Sequence, residues 1–197
     1  MPLTSRTPVI GAVLAAALLF GGLTACSDLT RPGAQSPNFT DTSDVYTING
    51  SPEGVPTGLW LFTGQAVQLD PTFNFDLAFD VDSLNRLLLL PVRVVAGNLA
   101  SAHSVGLKRD STTYESLVQA PSSGYVVDST FVASVGDVFA IQTTDASACG
   151  FSYYSPYIYA KLQVLDVDAA ARKVHVRFTV DPNCGFRSLI PSGTPKG

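Results

Sequence analysis

Two histidines, His103 and His175, are the only imidazoles in a chain of 197 residues. The imidazole base of a hydrolase triad, or any imidazole ligand to a metal, must be one of them. In Ala100-Ser101-Ala102-His103-Ser104 serines stand close to the ring, the residue types of a nucleophile and its base. Serines beside a histidine are ordinary in polar loops, however. No GxSxG elbow, HExxH helix, Walker loop or dinucleotide fingerprint accompanies them, so the sequence points away from an enzyme. Asp80-Val81-Asp82 and Asp166-Val167-Asp168 offer paired carboxylates of the calcium-binding kind. Neither continues into the glycine and closing acid of an EF-hand loop. Both pairs sit where apolar alternation ends, the place for turn-capping aspartates.

A second candidate is aromatic. The segment from Phe151 to Tyr159 holds four tyrosines, Tyr153, Tyr154, Tyr157 and Tyr159. Tyrosine presents a flat apolar face with a polar tip, which suits stacking on a ring-shaped ligand or packing against a partner. The competing reading is that alternate tyrosines fill core and sheet-face positions.

The first residues read as an address. Arg6 is the only charged side chain before Asp28, and an apolar run from Val9 to Phe20 follows it. Twelve residues rise only about 18 Å as a helix, short of a bilayer core of about 30 Å. A basic start, a short apolar run and small residues at its end make a secretory signal over residues 1–25. The ending Leu23-Thr24-Ala25-Cys26 resembles the lipobox of bacterial lipoproteins, in which the cysteine is acylated (palmitate among its chains) and becomes the mature N-terminus. Ser27 follows, where an aspartate would favour inner-membrane retention, so the resemblance implies an outer-membrane anchor in the bacterial envelope. The lipid bilayer is thus an expected partner, through Cys26. Loss of Arg6 leaves 11 basic against 16 acidic side chains, a net charge of −5. That balance argues against nucleic acid, which calls for clustered Lys and Arg.

With Cys26 taken by lipid, Cys149 and Cys184 remain, enough for one disulfide in an oxidising compartment. Two free thiols, one or both on a metal, are the alternative, although no CxxC or nearby histidine pair completes a zinc set.

The elements that must position these groups are strands. Hydrophobic residues make up 46% of the chain and charged residues 14%, which excludes disorder. Of the 16 acids 14 are Asp, the residue of turns rather than helix surfaces. Phe73 to Val81 alternates apolar and polar, with Asn74, Asp76 and Asp80 expected on the outer face. Residues 59–63 and 65–69 flank Gly64 as a hairpin. Leu87 to Val95 is apolar but interrupted by Pro91, expected at a bulge or an edge. Asp110 to Val118 can form one short capped helix. Residues 137–142, 157–167 and 173–180 complete the strands. The expected architecture is all-β, an antiparallel β-sandwich or barrel-like sandwich with at most one short helix, since no helical period links the strands as βαβ units. The expected layout is a lipidated cysteine with a flexible tether over 26–44, one domain over 45–190 and a flexible tail over 191–197.

The order of Leu61-Phe62-Thr63-Gly64, Phe75-Asp76-Leu77-Ala78-Phe79, Val138-Phe139-Ala140-Ile141-Gln142-Thr143 and Tyr159-Ala160-Lys161-Leu162-Gln163 resembles the HmuY-like haem-binding lipoproteins. The resemblance covers roughly residues 58–187 and rests on short strand motifs. It implies a β-sandwich, a lipid anchor and the capture of haem, with His103 and His175 as the two candidate iron ligands. Neither histidine matches a ligand position of the family, and Met1 departs with the signal. Two functions from different classes therefore stand: a module binding haem or a similar flat apolar molecule, and an envelope domain engaging a protein or glycan partner.

Overall fold

The computed structural model describes residues 33–100, 103–144, 149–150, 152, 154–192 and 195. Cys26 and Tyr153 lie outside the described residues. Period-two alternation produces strands β1 (Phe39–Tyr46), β2 (Gly58–Trp60), β3 (Gln65–Val67), β4 (Leu77–Val81), β5 (Leu87–Pro91), β6 (Ser104–Asp110), β7 (Val126–Val127), β8 (Phe131–Ala133), β9 (Val138–Thr144), β10 (Tyr157–Asp168) and β11 (Lys173–Asp181). They form two antiparallel sheets, one ordered β1-β11-β10-β9-β6-β7 and the other β3-β2-β4-β5-β8. The two sheets do not close into a barrel, and the fold is the expected all-β sandwich.

The core lies between the sheets. On β10, Ile158, Ala160, Leu162 and Val164 point inward, and on β11 so do Val174, Val176, Phe178 and Val180, all fully buried. Truncating an aromatic at such a site costs about 3–5 kcal/mol. Cys149 and Cys184 form the expected disulfide, with Cα atoms 5.7 Å apart and a separation of 35 positions in sequence. Closing a loop of that length stabilises the fold by about 3.5–4 kcal/mol on the chain-entropy account.

The outer face of the six-stranded sheet is covered as well. Tyr114, Leu117, Ala120 and Leu189 pack there on Val138, Ala140 and Tyr159 as a second apolar cluster. Lys161 is buried beneath this strap, its Nζ donating to the Tyr114 and Leu117 carbonyls at 2.7 and 2.9 Å. Burial lowers the Lys161 pKa.

Four expectations change. The tether does not reach residue 44, because Phe39–Tyr46 pairs with β11 along its whole length. An edge strand needs few apolar residues when its backbone is fully paired, and Val45 is the one buried side chain of β1. The tail expected from 191 includes Pro195, which is buried. The helical turn is α1 (Val92–Ala96), not residues 110–118. Pro91 closes β5 opposite Leu77, beyond the reach of β8, which pairs only with Leu87 to Leu89. With no further ladder to join, the valines turn into α1 and a 3₁₀ turn (Gly97–Ala100). Arg93 ties that turn down by donating to the His103 carbonyl at 3.0 Å. At 110–118 Asp110 caps a tight turn instead, accepting from the Thr112 N–H. Finally, Asp76 is not on an outer face but fully buried. The alternating strand starts only at Leu77, and Phe73 adopts a left-handed φ of 54°.

Candidate functional site

The two histidines are placed far apart. Ser104, Thr144 and Tyr157 share one row of the six-stranded sheet, whereas His175 pairs with Asp166, nine positions further along β10. At about 3.3 Å per residue this separates His103 from His175 by about 25–30 Å. Two axial ligands must approach one iron from opposite sides, so these two cannot share a haem.

Each histidine has an aspartate. His175 Nδ1 lies 2.8 Å from Asp44 Oδ1 across the β1–β11 ladder, on the surface. That hydrogen bond is the main cause of the lowered Asp44 pKa. His103 Nε2 lies 3.0 Å from Asp76 Oδ1, at the start of β4, and 3.1 Å from Thr143 Oγ1 on β9. Thr143 donates to Asp76 Oδ1 at 2.5 Å, and the Leu61 N–H donates to Asp76 Oδ2 at 2.7 Å. Both Asp76 oxygens therefore act as acceptors.

Acid, imidazole and hydroxyl are the residue types of a nucleophilic relay, but the arrangement is not one. A relay uses one ring nitrogen for the acid and the other for the hydroxyl. Here Nε2 faces both, and the buried hydroxyl gives its proton to the acid. The cluster is a polar tie joining β4, β9 and the approach to β6 across the sandwich. One aspartate of each pair caps a turn: Asp82 accepts from the Leu84 and Arg86 N–H groups, and Asp168 from the Ala171 N–H. Among the described residues no three His, Cys, Asp or Glu side chains converge to hold a metal.

Among the described residues, Tyr154, Tyr157 and Tyr159 do not make a platform. Tyr157 and Tyr159 alternate onto the outer face of β10, where the strap covers Tyr159 to 7% exposure. The Tyr159 ring centroid is 6.3 Å from Tyr125 and 6.5 Å from Tyr157, and its hydroxyl accepts from Gln142 at 3.0 Å. Tyr154 lies on the preceding loop, 53% exposed. For Tyr157 and Tyr159 the packing reading holds, because a strap from elsewhere in the chain occupies their face.

A different feature has the shape of a binding site. An apolar cleft of about 460 Å³ lies between the loop after β3 and the α1 segment. Leu69, Phe73, Phe75, Val95 and Leu99 line it, and among the described lining residues only Asp70 is charged. Asp70 caps its own loop, accepting from the Thr72 N–H at 2.8 Å and from the Thr72 hydroxyl. Those bonds hold its pKa below the ordinary value. The Phe73 N–H donates to the Asp70 carbonyl, which fixes the tight turn carrying the left-handed Phe73. Behind the cleft a Cβ on Gly58 would lie 2.9 Å from Leu69 and 3.2 Å from Phe75. Glycine there lets both side chains close over β2 without displacing either. Phe75 and Asp76 are consecutive, so the cleft wall is seated directly on the Asp76–His103–Thr143 tie.

Sequence reasoning missed this cleft because its lining comes from two segments with no shared motif. Leu99, in an otherwise polar stretch, was the one available signal. Among the described residues the lining holds no His, Cys, Met or Tyr, so those residues do not fit an iron-ligated haem. No family model, curated protein or solved structure matches this chain.

Proposed function

We propose that this protein is a lipid-anchored binding module of the bacterial envelope, and that its cleft between residues 69–75 and α1 takes a flat apolar molecule through ring-face contact rather than metal ligation. The cleft carries the reading. Its volume of about 460 Å³ lies within the range of about 300–1,000 Å³ typical of small-molecule sites. Its walls are apolar, and two of them, Phe73 and Phe75, are aromatic. A left-handed phenylalanine is costly, on the order of 1–3 kcal/mol, and such strain clusters at ligand sites. The lipobox-like ending at Cys26 supplies the envelope part of the reading.

Titration of the mature chain with haemin and with metal-free protoporphyrin IX tests it. Ring-face binding predicts similar affinities for the two. A charge placed in the apolar wall by Leu99→Asp weakens both by about tenfold or more, while His175→Ala changes neither. Binding of haemin but not protoporphyrin would show iron ligation and sink the proposed mode. Absence of any absorbance change with either sinks the porphyrin-like ligand class.

A further inference from the structure

The strand β1 shortens the tether, and that has a geometric consequence. Backbone hydrogen bonds attach the chain to the domain from Gln35 onward, because the Gln35 and Ser36 N–H groups both donate to Asn183 Oδ1 at 2.8 and 2.9 Å. Gln35 is nine positions after Cys26, and a fully extended chain of that span reaches no more than about 32 Å. A tether running to residue 44 would have reached about twice as far. If Cys26 is the lipid anchor, the end of the sandwich that holds Gln35 is the end kept at the bilayer.

The sheet register identifies what else lies at that end. Phe39, Val180, Ala160, Ile141 and Leu107 form one row across the six-stranded sheet. Beyond it towards Gln35 lie Asn183, Tyr157, Thr144 and Ser104. The α1 and 3₁₀ segment enters β6 directly at Ser104, which puts Leu99 and Val95 at this end. Tyr154 belongs to the chain entering β10 here, and the Ile190 carbonyl accepts from Asn38 beside β1. Leu99 is 78% exposed, and Tyr154 and Ile190 are 53% exposed each.

Charge is distributed the opposite way. Among the described residues near this end, Asp181 is fully buried, Arg93 is paired with Asp128, and Arg187 is half-buried on the Ala120 carbonyl. Asp70 is the one exposed acid, already committed to Thr72. The far end carries Asp82, Arg86, Asp137, Asp168, Arg172 and Lys173 in its turns. Exposed apolar side chains occur there too, Leu84 and Val135 among them, so exposure alone does not choose an end. Tether length and, among the described residues, the absence of free charge do.

We infer that the anchored end is a bilayer-docking face: Leu99, Tyr154 and Ile190 insert at the membrane interface, and the cleft beside Leu99 opens onto the lipid surface. Interfacial seating of aromatic and aliphatic side chains follows apolar area, and a nearby acyl chain supplies the second attachment that stable binding requires. The inference rests on the lipid-anchor reading, and it deepens the binding reading by making the ligand one that partitions into membranes.

The test uses the acylated mature chain in vesicles of phosphatidylethanolamine and phosphatidylglycerol containing brominated phosphatidylcholine. Leu99→Trp and Leu84→Trp place matched fluorophores at the two ends, and the unsubstituted chain corrects for Trp60. Docking predicts that bromolipid quenches roughly half of the added emission at position 99 and little at position 84. Equal quenching at both positions, or none at 99, overturns the docking face while an acylated Cys26 keeps the anchor reading intact. Protection of position 99 by self-association of the chain overturns it equally. A mature N-terminus without acyl groups, read by mass spectrometry, overturns anchor and docking together. Porphyrin titration of the same chain remains an independent measure of the cleft.

Discussion

The molecule contains the same chemical pair twice, in two settings. Asp44 and His175 face each other across an edge ladder, with side chains 50% and 39% exposed. Asp76 and His103 meet inside the sandwich, with side chains 0% and 15% exposed. The distances, 2.8 and 3.0 Å, barely differ. Water solvates the first pair whether or not its partners meet. The second pair has only protein to satisfy it, so Thr143, the Leu61 N–H and His103 must all be in place for Asp76 to be buried at all. Similar contact lengths therefore conceal very different energetic roles.

The largest effect expected is at the buried pair. Asp76→Ala strips His103, Thr143 and Leu61 of their common acceptor and costs about 3–5 kcal/mol in chemical denaturation. A loss below 1 kcal/mol would erase the distinction between the two settings. Lys161, a buried amine held by carbonyls instead of an acid, sharpens the comparison. Lys161→Met leaves the Tyr114 and Leu117 carbonyls without this donor and costs about 2–3 kcal/mol. Its pH dependence has a definite sign. Burial lowers the folded pKa below 10.5, so between that value and 10.5 the unfolded chain holds more protons and stability rises with pH. The stability gap between the native chain and Lys161→Met should widen on approaching pH 10.5. A constant gap would mean that the buried amine carries no penalty.

His103→Ala leaves Asp76 with Thr143 and Leu61 as donors, and the expected loss is about 1–2 kcal/mol. Porphyrin binding measured on the same variant asks whether the tie supports the cleft wall at Phe75. At the exposed pair, Asp44→Ala costs only a few tenths of a kcal/mol, and 1 M salt removes the difference. The lowered Asp44 pKa makes this contribution present above 3.8 and lost as pH falls through the folded value, so it disappears only below about pH 4. A loss comparable to that of Asp76→Ala would show that the edge pair is not simply solvated.

Much of the fold was legible in local pattern. The runs at 157–167 and 173–180 became β10 and β11 with the expected inward faces, because a period of two has one structural meaning once one face is buried. The pairing of Cys149 with Cys184 followed from counting, given that Cys26 was assigned elsewhere. The failures share a cause. Phe39–Tyr46 reads as polar linker because an edge strand is held by backbone bonds, which leave little trace in side-chain type. Val92–Val95 reads as strand because β-branched residues favour sheets, yet the ladder ends at Pro91 and leaves nothing to pair with. Asp76 reads as solvent-facing because alternation cannot see that three donors await it inside.

The sequence by itself determined the class of fold and the staple, since composition, period and cysteine number act locally or by elimination. Only the tertiary structure decided the candidate site. It separated His103 from His175 by most of the length of the sheet and buried Tyr159 under a strap. It also brought Leu69, Phe73 and Phe75 against Val95 and Leu99. Those outcomes depend on which residues become neighbours across sheets, and no spacing along the chain encodes that distance.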